Sequence, residues 1–265
     1  MKVIRSADLT GTPRESTFGA GARALIYLTA EDATGFAVAT VDSREGMETG
    51  PLHYPHHVKA NYVLEGAGEI ASEDGTSWPL APGSFYVVGP DDLYSLRFEG
   101  PWKTFSFFTP AIADGGFGES GPLPAGWGNG GRRMFVRGMA DYERKQLSTG
   151  HSGVHRPLLA ADGIGLSLSD LTTQAGASID LWYRNHVEAN YLVEGSAQIL
   201  DKASGQTHDL VPGDLFVIGP RDKHRVSNTH GARWLSIFNP GITGSERYDD
   251  LGGYPPTGDV PPAWL

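Results

Sequence analysis

The sequence contains no cysteine, which excludes disulfides, thiolate metal sites and a cysteine nucleophile. No apolar run approaches the length that spans a bilayer, and the start, MKVIRSADLTGT, lacks the apolar core of a secretory signal. The expected compartment is therefore cytoplasmic, with no membrane partner. Basic charge is scarce as well: 21 Lys and Arg against 31 Asp and Glu leave a formal charge of -10. A general nucleic-acid binder needs a basic surface, so no nucleic-acid partner is expected. Long helical periods are also missing, apart from short pieces near residues 1–12 and 134–144.

What is present comes twice. HVKANYVLEG begins at His57 and HVEANYLVEG at His186. From Asn61, NYVLEGAGEI and LAPGSFYVVGPDDLYSLR parallel NYLVEGSAQI and LVPGDLFVIGPRDKHRVS from Asn190. WKTFSFFTP matches RWLSIFNP, and MKVIRSADLTG resembles MFVRGMADYER. The copies keep register at an offset near 130 residues, which means tandem domains and not a solenoid of short repeats. Between them, DGGFGESGPLPAGWGNGGRR is dominated by glycine and proline and predicts a surface linker over 114–133. The first domain is thus expected over 1–113 and the second over 134–265.

Within each copy, short apolar runs are punctuated by Gly, Pro, Asp and Asn. NYLVEGSAQIL, HDLVPGDLFVIG and RWLSIFNP predict strands joined by tight turns. Many short strands at regular spacing predict an all-β, jelly-roll barrel. Such a barrel leaves an interior cavity at one end, where inward side chains can meet a ligand.

The second copy resembles the cupin superfamily. Glu188 is followed after six residues by Gly195, then by a PG pair, then by His224 and, four positions on, Asn228. Two such copies make a bicupin. LWYRNHVEANYLVEG, VPGDLFVIGPRDKHR and FNPGITGSERYDDLGGYP, with the MFVRG opening and Arg156, are more closely similar to ectoine synthase. That resemblance implies a divalent metal, iron foremost, in the second barrel only, held by Glu188 and His224. It also places a tyrosine ligand eight residues before His224, where this chain has Phe216. The family's substrate-contacting threonine falls on Leu171 and a tail histidine on Tyr248, whereas Tyr183, His186, Phe238 and Glu246 are kept.

Ectoine synthase closes a ring by joining an amine to an acetamido carbonyl with loss of water. The amine must shed a proton and the departing oxygen must gain one. Glu246 and His186 are the candidate proton carriers, with Tyr183 orienting or relaying; Trp182, Arg156 and Phe238 are candidate substrate contacts. His186 lies two residues before Glu188, so strand alternation predicts one face for both. Tyr183, Trp182 and Phe238 also suit plain core packing, and YDD from Tyr248 suits a solvated loop.

In the first copy Lys59 replaces the glutamate and Tyr94 the histidine, while Tyr86 keeps the tyrosine. A lysine ammonium repels a divalent cation, so the first barrel is expected to be metal-free despite HYPHH from His53. The expected activity is therefore that of an ectoine synthase-like lyase acting on a small polar, amino-acid-derived metabolite. A metal-free metabolite-binding bicupin is the alternative. A bicupin oxygenase or ureido-compound hydrolase rests on fold alone. Packing of the two barrels on each other and a homodimer are further expectations.

Overall fold

The computed structural model describes the whole chain except residues 20, 115, 143 and 147–150. It is an all-β molecule whose strands pair antiparallel throughout, as the turn-punctuated apolar runs require. Two compact units emerge, one of Ala7–Asp141 and the other of Met1–Ser6 with Tyr142–Leu265. Among the described residues, no helix is long and apolar enough to cross a membrane.

In the Ala7–Asp141 unit, a seven-stranded sheet runs in the spatial order Phe135–Arg137, Phe85–Val88, Val58–Glu65, Trp102–Thr109, Ala37–Ser43, Ala22–Leu28 and Glu15–Phe18. A four-stranded sheet of Met47–Glu48, Tyr94–Phe98, Gly68–Ser72 and Ser77–Leu80 completes the jelly roll. The other unit repeats this strand for strand. Its large sheet is Lys2–Ile4, Leu215–Ile218, Val187–Gly195, Ala232–Asn239, Ser167–Thr173, His151–Leu158 and Arg144–Lys145. Its small sheet is Ser178–Leu181, His224–Ser227, Ala197–Asp201 and Thr207–Leu210.

Sequence copies and packing units divide the chain differently. Lys2–Ile4, which opens the first copy, pairs with Leu215–Val217 of the second. Phe135–Arg137, which opens the second copy, pairs with Phe85–Val87 of the first. The exchange is reciprocal, and each opening strand is the outermost strand of the sheet it joins. Polar anchors hold both exchanged strands: Arg5 donates to Asp214 at 2.6 Å, and Arg133 to Asp92 at 2.7 Å. Asp214 and Asp92 are almost fully buried, so each needs its arginine.

Each core lies between the two sheets of its unit. Val63, Ile70, Leu80, Tyr86 and Phe98 fill one; Leu192, Ile199, Leu210, Phe216 and Val226 fill the other. Every residue from Val58 to Leu64 is buried, so both faces of that strand are covered and its sequence alternation is muted. The PG pair of each copy makes a sharp turn into the following strand, with φ of +90° at Gly83 and +98° at Gly213, a region open to glycine at low cost.

The linker is not uniformly a surface spacer. Trp127 within it is buried, and its ring covers Gly89, where a Cβ would lie 2.5 Å from Trp127 Cε3. The C-terminal Trp264 covers Gly219 in the same way, again at 2.5 Å.

Candidate functional site

The second barrel encloses a small cavity of about 40 Å³. Glu188 and Asn190 reach it from the central strand Val187–Gly195, Ser169 and Leu171 from Ser167–Thr173, and His224 from the small sheet. Residues two apart on one strand share a face, which is why 188 and 190 arrive together.

Glu188 is buried, and that burial pushes its carboxyl up to about 8, with Asn190 and Ser236 pulling the other way. An unpaired carboxylate in such a place is costly, so without a partner the group keeps its proton at neutral pH. His224 is fully buried, and burial pushes its imidazole down to about 4, partly offset by the Asp222 carbonyl. Its Nδ1 lies 3.1 Å from that carbonyl, which suits the Nδ1–H tautomer. Its Nε2 is buried without a hydrogen-bond partner. A neutral imidazole nitrogen with a free lone pair therefore shares a cavity with a carboxyl group.

Aromatic rings close the rest. Tyr183 is buried, its hydroxyl sits 3.1 Å from that of Tyr248, and burial raises its pKa well above the usual phenol value. Tyr248 stacks on Tyr254 at 4.7 Å, and Phe238 meets Tyr183 edge-on at 5.2 Å. Phe216 faces His224 at 6.3 Å, a ring without a donor atom. Arg156 also lines the cavity, donating to the Gly244 carbonyl, while its Nε is buried without a partner.

Of the sequence candidates, the cavity thus gathers Glu188, His224, Tyr183, Phe238 and Arg156. Three lie outside its lining. His186 precedes the strand, so alternation does not carry it to the cavity face; its two ring nitrogens meet the carbonyls of Pro240 and Pro255 at 2.9 and 3.1 Å. His57 holds the Pro110 carbonyl at 2.9 Å in the first barrel, so this histidine anchors a following loop in both copies. Glu246 caps its own loop: burial works against its charge, but the N–H groups of Thr243 and Gly244 hold its carboxyl below the usual range. Trp182 donates from Nε1 to the Pro220 carbonyl at 2.7 Å, under the Lys223 ammonium. Asn228 is structural, bonded to Thr173 and Gly231.

Tyr248, placed at the family's tail histidine position and also read as part of a solvated loop, lines the cavity. Tyr254, Ser169, Asn190 and Trp234 line it without having been singled out in the sequence. The signal was available: two tyrosines at a spacing of six in a glycine-rich tail are expensive to leave in water.

As for metal chemistry, two donors fit. His224 Nε2 is an orphaned neutral nitrogen, and Glu188 supplies an oxygen beside the same cavity. Phe216 offers nothing at a third position, and among the described residues no group of three His, Cys, Asp or Glu is placed to hold a metal.

The family model for ectoine synthase matches residues 1–120 and again 134–258. The chain belongs to the ectoine synthase family. The unmatched stretch between the two ectoine synthase matches falls inside the glycine-rich linker. L-ectoine synthase of Saccharopolyspora erythraea is 39% identical over 124 residues, which is 46% of this chain and 92% of that protein. The enzyme of Hyphomonas neptunium is 38% identical over 127 residues, or 46% of this chain and 93% of its own. Each relative thus corresponds to about half of this double-length ectoine synthase family member.

Solved structures supply the architecture. An oxalate decarboxylase of Bacillus subtilis superposes with a TM-score of 0.67 at 14% identity, over 91% of this chain and 78% of that one. The Lactobacillus farciminis oxalate decarboxylase gives 0.66 at 15% identity, over 91% and 87%. At that identity the likeness concerns fold alone, and it makes this family member a bicupin.

Proposed function

We propose that the second barrel performs an ectoine synthase-like reaction on a small amino-acid-derived metabolite: cyclising condensation of an amine with a carbonyl and loss of water, or the reverse hydrolysis. The observation that carries it is Glu188 and the unpartnered Nε2 of His224 meeting in one buried cavity. Those two residues would hold a divalent metal, iron by analogy with the family. When bound, such an ion supplies Lewis-acid polarisation of the carbonyl oxygen.

The chain's own groups do the rest. Arg156, at the cavity wall, binds the carboxylate of an amino-acid-derived substrate. The attacking amine sheds two protons, and the carbonyl oxygen takes two as it leaves as water. Tyr183 and Tyr248, joined through their hydroxyls, pass those protons from nitrogen to oxygen and end as they began. Burial disfavours the Tyr183 phenolate, so its hydroxyl gives one proton only as it takes another. Phe238, Trp234 and Tyr254 exclude water, which would otherwise favour hydrolysis.

About 40 Å³ accommodates roughly three waters, so any ligand of this barrel must open it. A second reading is favoured by one observation, Phe216, a ring without a donor atom where a third ligand would stand. In that reading the barrel holds a metabolite without turning it over. Acetylated diamino acids and their cyclic products, incubated with metal-loaded full-length protein, separate the two. Turnover that falls at least about a hundredfold in Glu188→Ala and His224→Ala, and several-fold in Tyr183→Phe, supports catalysis. Turnover indifferent to Glu188→Ala rules out the metal enzyme, and saturable binding without turnover establishes the metabolite-binding protein.

A further inference from the structure

The first barrel is the roomier of the two. Its cavity measures about 750 Å³ against about 40 Å³ in the second, and the range typical of small-molecule sites is roughly 300–1,000 Å³. The sequence shows part of the reason. Thr104 stands where the second barrel has Trp234, although Trp102 in turn replaces Ala232, and no counterpart of the Tyr248 and Tyr254 pair lines it. Its walls are mostly apolar and aromatic.

One full charge lies inside. Lys59 is buried to 8% exposure, its Nζ 3.4 Å from the Tyr54 hydroxyl and over the rings of Tyr54 and Phe108 at 4.8 and 5.4 Å. Among the described residues it forms no ion pair. Of the other charged groups at the cavity, Arg14 is matched by Glu31, Asp32 and Asp114, and Glu48 is exposed. One neutral donor of the wall is also unused. Asn61, two residues from Lys59 and on the same face of the strand, accepts at Oδ1 from the Ser106 hydroxyl, leaving Nδ2 buried without a partner. Buried polar groups are normally satisfied, so an open donor beside an uncompensated ammonium marks a place for an acceptor with negative charge.

We propose that the first barrel is a binding site for a small monocarboxylate with an apolar body, whose carboxylate pairs with Lys59 and accepts from Asn61. Lys59 Nζ without an ion pair and the open donor of Asn61, in a largely apolar cavity of about 750 Å³, are the observations that assign it. One ammonium balances one negative charge, which favours a carboxylate over a phosphate dianion. The apolar, aromatic wall favours a hydrocarbon or aryl body over a sugar or a polar amino acid. The site is independent of the chemistry assigned to Glu188 and His224, since none of its residues lies in that barrel.

Calorimetry on the full-length protein with octanoate and phenylacetate, and with the uncharged octanamide and phenylacetamide, tests the assignment. At least one acid should bind at micromolar to low-millimolar concentration, about tenfold or more tighter than its amide. Lys59→Met should remove that preference while keeping the apolar cavity. Equal binding of acid and amide, affinity unaltered in Lys59→Met, tighter binding of octyl phosphate, or no binding of either acid at millimolar concentration would each overturn it. So would a lysine adduct trapped by borohydride with an aldehyde probe in preference to acid binding, since that would make Lys59 a nucleophile.

Discussion

Glu188 and Lys59 sit at one position of the repeat, and the charge found there decides what each barrel can hold. In metal-free protein Glu188 keeps its proton up to about pH 8, whereas His224 loses its own near pH 4. A metal ion entering between them must displace the Glu188 proton and has none to displace from His224. Affinity for iron(II) or zinc should therefore rise by up to about tenfold per pH unit between pH 6 and 8, then level off. Titration calorimetry in buffers of different ionisation enthalpy should register about one proton released per metal at pH 6.5. Metal uptake that ignores pH in this window would remove Glu188 from the ligand set. At this scale the sequence was legible in part. Glu188 and His224 could be singled out because both fall on the cupin-like spacing, Glu188 to Gly195 and His224 to Asn228, and the structure brings both to one cavity. His186 could not be placed, because alternation holds only inside the strand and it lies one residue before it. Glu246 could not be placed either, because a loop carboxylate capping nearby N–H groups looks the same in sequence as one facing a substrate.

The same logic reappears in whole elements. The strands, their order along the chain and the PG turns were readable from apolar runs and glycine, because each is a local matter. The linker was less so: its composition is that of a spacer, yet Trp127 inside it is a buried lid on Gly89. Trp264 covers Gly219 with the same geometry but stays half-buried at the end of the chain. The two glycines consequently respond differently to an added methyl. Gly89→Ala should drive Trp127 off its seat and cost about 1–3 kcal/mol, while Gly219→Ala should cost less because Trp264 can swing aside. Chemical denaturation of the two variants, followed by tryptophan emission, measures the difference. Equal and negligible costs would mean that Trp127 does not brace its unit.

At the scale of the molecule, the repeat predicts two domains, and it cannot reveal that each domain takes its outermost strand from the other copy. Strand exchange leaves the local pattern untouched: MKVIRS and MFVRGM are equally good strands in either sheet. Only pairing tells them apart, with Lys2–Ile4 on Leu215–Val217 and Phe135–Arg137 on Phe85–Val87. A cut at Arg133 is therefore the wrong place to separate the barrels. Fragment 7–133 lacks the strand that brings Phe135 against Phe85, and Met134 and Val136 against the core. Fragment 7–141 keeps all seven strands of its large sheet. Removing the strand bares the edge of Phe85–Val88, whose side chains are all buried, and open apolar edges invite aggregation. The longer fragment should thus unfold cooperatively and remain monomeric, while the shorter should melt several degrees lower, since each kcal/mol lost shifts a domain of this size by roughly 2–8 °C. Circular dichroism melts and size-exclusion profiles of the two fragments give the comparison. Identical melts would show that the borrowed strand contributes nothing, and the tandem arrangement would then have to be explained by function and not by folding.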